Sequence, residues 1–169
     1  SSPEDQRRRS LYIFRFRSLP YPALEVFDAP PGEVSCVQRS RSNTPLQALT
    51  SLNEPVFVEA ARNLALTTLK EAAPDDDARL TRAFRRVLTR HPVEKELAIL
   101  DELRRAEQAR INAQEHPEAT AWTLLAGPEA AQQSERRPAL PPGVDPVETA
   151  SWVAVARALL NLDEAIVRE

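Results

Sequence analysis

The 169-residue chain reads as an all-α protein, a helical bundle of about five to six helices preceded by an extended, Pro-rich N-terminal arm. Three observations predict this. Between residues 45 and 168, apolar side chains recur three and four positions apart, the period that lines one face of a helix. Helix starts are marked by a capping residue followed by proline, as in Thr44-Pro45 and Asp145-Pro146. Residues 11–43 carry Pro20, Pro22, Pro30 and Pro31, each of which removes a backbone donor, so no helix runs through them.

The elements follow in order. Residues 1–10 are polar and charged and are expected to be a flexible entry segment. The arm, residues 11–43, holds Leu11, Ile13, Phe14, Phe16, Val26, Phe27 and Val37. These side chains are too apolar to float in water, so the arm is expected to lie across the helices. At Thr44-Pro45-Leu46-Gln47 the threonine can cap, proline suits the first helical position, and Gln47 can return a bond to the cap backbone. A short helix to about Leu52 follows. Asn53-Glu54-Pro55 restarts the chain, and Val56, Phe57, Ala60, Leu64 and Leu69 line the next helix. Asp75, Asp76 and Asp77 favour the start of a third, whose face is Leu80, Ala83, Phe84, Val87 and Leu88.

Pro92 opens a long helix with Leu97, Leu100, Leu103 and Ile111 inward; Glu94, Lys95, Glu96, Arg104 and Arg105 are assigned to water. It is expected to form a hairpin with the helix before it. A brief helix over 117–126 stops at Gly127-Pro128. Residues 128–144 then read as a Pro-rich loop, the best place for disorder. Asp145-Pro146-Val147-Glu148 starts a C-terminal helix over 146–168 with Trp152, Val153, Ala156, Leu159 and Leu160 on its apolar face. The helices at 45–126 and 146–168 and the arm are thus read as one domain, 11–169, the C-terminal part of a larger protein.

Composition narrows the function classes. The 22 basic and 25 acidic residues give a formal net charge of −3, which argues against nucleic acid as a partner. Arg7, Arg8, Arg9, Arg15 and Arg17 interleave with Tyr12, Phe14 and Phe16 in the style of a single-strand stacking platform, but the net charge opposes that reading. Positive charge gathers in residues 1–41 and negative charge in 145–169, so the two ends are expected to attract one another. No run of 18 apolar residues exists, so no membrane insertion is expected. One cysteine, Cys36, and two isolated histidines offer no intrachain disulfide, zinc spacing or haem-attachment motif, so no cofactor is expected in this chain. Cys36 is expected to be a buried, inert thiol, and His91 a helix-entry residue.

The densest polar cluster is Arg39, Arg41, Asn43, Thr44, Gln47, Asn53 and Glu54, flanked by apolar residues on both sides. It is a candidate binding or docking surface. The structural alternative is that Asn43 and Thr44 cap, Asn53 turns the chain, and the arginines pair with carboxylates of the last helix. Asp163, one turn after Leu159, is expected near that helix's apolar face and in need of a cation, for which Arg39 and Arg41 are the candidates.

Three stretches together carry a family resemblance: RRSLYIFRFRSLPYPALEVFDAP, then RSRSNTPLQALTSLNEPVFVEAARNLA, then WVAVARALLNLDEAIVRE. In this order they resemble the C-terminal half of the Planctomycete-type domain of unknown function 1553. The chain departs from that pattern at Arg15-Phe16 and Pro31-Gly32, which limits what carries over within residues 1–35. The resemblance implies a large exported protein, periplasmic or at the cell surface, in which upstream domains of the same polypeptide are the partners and any haem sits in an upstream cytochrome-c-like module. It supplies no catalytic residues. Two functions are therefore carried forward: a non-catalytic structural or interaction module, and a contribution to an active site shared with upstream domains in a haem-linked oxidation of extracellular sugars or polymers. Oligomeric state is left open.

Overall fold

The computed structural model describes residues 21–30, 35–38, 42, 44–71 and 75–166. Within them every regular element is helical: α1 (Pro22–Val26), α2 (Pro45–Asn53), α3 (Pro55–Glu71), α4 (Asp76–Leu88), α5 (Glu94–Asn112), α6 (Pro117–Ala126), α7 (Pro128–Gln132), α8 (Pro146–Leu160) and α9 (Asp163–Ile166), with a single 3-10 turn at Ser134–Arg136. The all-α bundle is therefore as predicted. The expectations for residues 1–10, for Leu11 to Phe16 and for Arg39, Arg41 and Asn43 lie outside the described residues.

The helix starts obey their sequence signals. Thr44 Oγ1 accepts the Gln47 N–H and Gln47 Oε1 accepts the Thr44 N–H, both at 3.2 Å, closing a reciprocal capping box. Asp75 and Asp145 each accept the backbone N–H three residues on, at 3.2 and 2.8 Å. At α5 the Glu96 carboxylate accepts the Val93 N–H at 2.8 Å, the half of a capping box that a valine allows. Gly127, with φ of 91°, separates α6 from α7 in a conformation that costs a side-chain-bearing residue dearly.

α8 is the axis of the bundle. It packs against α3, α5 and α6, and Thr149, Ala150, Ser151, Trp152, Val153, Val155, Ala156 and Leu159 are all buried. A helix buried this far round needs small residues where its neighbours come close, which Ala150, Ser151 and Ala156 supply. Around it stand Ala61, Ala65 and Leu69 of α3, Leu80, Ala83, Phe84 and Leu88 of α4, Leu100 and Ile111 of α5, and Ala121, Trp122 and Leu125 of α6.

Helix ends are tied by arginines reaching from elsewhere in the bundle. Arg157 of α8 donates to the carbonyl of Leu52 in α2, Arg62 of α3 to Leu125 in α6, and Arg82 of α4 to Glu71 in α3. Each cation meets the negative end of a helix, where the last carbonyls have no partner of their own.

Several expectations are corrected. The C-terminal helix does not run to 168: α8 stops at Leu160, Asn161 caps it with its N–H, and α9 restarts at Asp163. That break turns Asp163 out to water instead of toward the apolar face. Arg104 is not solvated but 7% exposed, because its guanidinium meets two aspartates and lies over an indole. Cys36 is exposed, and Val37 is fully so, since the residues between 35 and 38 form no element that packs. The arm is not extended throughout: Pro22–Val26 makes a helical turn, with proline at the position where its missing N–H does no harm. Finally, residues 128–144 are not a loose loop. Ala130 is buried, Leu140 and Val144 pack on the core, and Arg137 is held by Ala130 O and Ala131 O at 2.9 and 3.2 Å while its guanidinium lies 4.9 Å over Trp122.

Candidate functional site

The described part of the predicted polar cluster lies at the corner where α1 meets α2. Its centre is Gln47, only 1% exposed. The side-chain amide donates to Val26 O at 2.9 Å and Ser42 Oγ at 3.0 Å, with Asp28 Oδ2 at 3.3 Å. Asp28 Oδ2 in turn accepts the N–H and the hydroxyl of Ser42 at 2.8 and 2.7 Å. The Gln47 amide thus finds partners for both its nitrogen and its oxygen, as a buried amide requires. Asp28 holds a φ of 55°, a left-handed conformation that aspartate tolerates better than most residues and that aims its carboxylate back at Ser42.

The other predicted residues separate. Asn53 is exposed and its amide donates back to Leu49 O at 2.8 Å, closing its own helix rather than a site. Glu54 sits at the bend between α2 and α3, where its N–H bonds Thr50 O at 2.9 Å. Asp163 lies at the start of α9, which packs on α4 and α8. Among the described residues of the cluster, Thr44 and Gln47 are the two brought together with Asp28 and Ser42, which the sequence pattern did not single out.

The geometry has a consequence for the outside of α2. With Gln47 and Ser51 facing inward, Leu46 and Leu49 face outward, 55% and 58% exposed. Val56, the second residue of α3, is not on the packed face the spacing predicted; it and Tyr21, at the start of α1, are exposed to a similar degree. The helix is inverted: polar groups inside, leucines in water. Soluble surfaces seldom gather large apolar side chains without a partner to cover them.

Elsewhere charges gather in a surface clamp. Arg90 engages Glu96 at 2.7 Å and Glu164 at 2.8 Å, joining the end of α4 to α5 and α9, and its guanidinium lies 4.8 Å from the Phe84 ring. The hydrogen bonds from Arg90, helped by the Val93 N–H, hold the Glu96 carboxyl down at about 2, and the same arginine lowers Glu164. The arginine is raised beyond its already high range by the two carboxylates. Glu164, one of the C-terminal carboxylates that Arg39 and Arg41 were expected to meet, is engaged by Arg90. This is a clasp in which opposite charges from three elements neutralise one another. No group of histidine, cysteine and acidic side chains suited to holding a metal occurs among the described residues.

A family model described as PSD1, protein of unknown function (DUF1553), matches residues 1–104. The chain belongs to that family. The match takes in α1 to α4 and most of α5, including the capping box and the inverted helix, and stops short of α8. No curated protein and no solved structure matches the chain.

Proposed function

We propose that this DUF1553 chain is a non-catalytic interaction module of a larger, exported bacterial polypeptide of the Planctomycete type, and that it docks onto an upstream domain through the corner made by α1, α2 and the start of α3. One observation carries the reading: α2 buries Gln47 and Ser51 and leaves Leu46 and Leu49 in water. Covering one such leucine completely is worth about 1.5–3 kcal/mol relative to leaving it exposed, so two form an anchor of useful size. The Gln47 knot supports the reading because it fixes the angle of α2 without using its leucines. Export, and any haem in an upstream module, follow from the family resemblance.

Titration calorimetry between this chain and a separately produced upstream domain tests the proposal. The native chain is expected to bind, and the double variant Leu46→Asn/Leu49→Asn to fail while keeping its helical circular dichroism. Binding that the double variant leaves intact would refute the assignment of this face.

A further inference from the structure

We propose a second docking site on the opposite chemistry: the C-terminal half of α4, with the apolar groove beside it, takes a short acidic peptide segment that carries apolar side chains. Arg82, Arg85 and Arg86 are exposed there. Glu71 is the one carboxylate among the described residues that pairs with them, with Arg86 and, at 3.7 Å, with Arg82. Arg85 has no ion-pair partner among the described residues. Three cations against one anion leave this half of the helix net positive.

Directly beside it lies a groove of about 510 Å³ lined by Phe27, Phe57, Leu64, Val87, Leu160 and Ile166, with Arg86 on its edge. Arg86 also belongs to the shallow face that carries Arg82 and Arg85. Apolar pocket and cationic strip are therefore one continuous surface. Apolar side chains would desolvate in the groove while carboxylates meet the arginines, the pairing of an anchor with a charged rim that specific interfaces use.

Charge also limits the length of the partner. Asp75 and Asp77 stand at the other end of the same face, and from Asp77 to Arg86 the helix rises only about 13 Å. A long polyanion laid along α4 meets those carboxylates. A short acidic stretch does not. This selects against nucleic acid and against an extended anionic surface, and for a peptide a few residues long.

The test uses the full chain and a fluorescein-labelled octapeptide of alternating glutamate and leucine, followed by anisotropy at low ionic strength. Binding is expected, weakened roughly threefold by Arg85→Gln and roughly tenfold by Arg85→Gln/Arg86→Gln, the size expected of exposed charge pairs. Octaglutamate is expected to bind roughly tenfold less well because it leaves the groove unfilled, and about 0.5 M salt to weaken both. Arg85→Gln removes no ion pair among the described residues, so a loss there is a loss of contact and not of fold. No binding of the octapeptide, equal binding by the double variant, or equal binding by octaglutamate or by phosphatidylglycerol vesicles would overturn the proposal.

Discussion

Arg157 in α8 reaches across to the carbonyl of Leu52, the next-to-last residue of α2, and so fastens the inverted helix to the axis of the bundle. The arginine is half-buried, and its charge faces the negative end of α2. Replacing it removes a charge-assisted bond and leaves a helix-terminal carbonyl unpaired. Arg157→Ala is expected to cost about 1.5–3 kcal/mol in chemical denaturation, and hydrogen exchange is expected to quicken in α2 before it quickens in α8. Uniform change through both helices would show that the bond does not localise its effect.

Among the described residues, Arg104 makes the most deeply buried ion pairs. It pairs with Asp76 and Asp101, each at 2.8 Å, and its guanidinium lies 5.6 Å from the Trp152 ring. Asp76 is 39% exposed, so part of the cost of losing its partner is recovered from water. Arg104→Met keeps the apolar stem and removes the charge; it is expected to destabilise by about 2–3 kcal/mol, below the range for a fully buried pair. Asp101→Asn added to that variant should restore part of the loss, since it removes the carboxylate left behind. Additive losses would refute the pairing as the cause.

The Arg90 clamp predicts a pH dependence. Glu96 titrates near 2 in the folded chain against an ordinary value of 4.5, and Glu164 is lowered in the same direction. A carboxyl held below its unfolded value binds its proton more readily when unfolded, so its contribution is present above pH 4.5 and drains away as the pH falls toward 2. The native chain is expected to lose stability more steeply across that window than Arg90→Gln. Added salt should bring the two curves together, because the clamp lies at the surface. Parallel curves at low salt would contradict it.

How much of this was legible in the sequence depends on what each feature rests on. Helix starts rest on local hydrogen bonds, and Thr44, Asp75 and Asp145 announced them. The core faces rest on spacing, and Leu80, Ala83, Phe84 and Leu88 were found by it. Arg104 was misassigned because a helical pattern sorts side chains by type, whereas its burial depends on aspartates from α4 and α5 and on Trp152 from α8. The break at Asn161 has no proline or glycine to mark it. Asp28 and Ser42 escaped notice because the left-handed φ of Asp28 is a backbone property that aspartate adopts without advertising it, and the bond to Ser42 spans fourteen residues. The outward turn of Leu46 and Leu49 was not legible, because polarity alone does not reveal that Gln47 and Ser51 take the inside.

The central claim, that the outward face of α2 is a docking surface, is tested most directly by thiol labelling of Cys36→Ser/Leu49→Cys. Removing the exposed native cysteine leaves a single reporter on the face in question. The account predicts rapid labelling in this chain alone and roughly hundredfold slower labelling within the longer polypeptide, where an upstream domain covers the site with a local opening cost of about 2.7 kcal/mol. Equal labelling rates in the two contexts would contradict it.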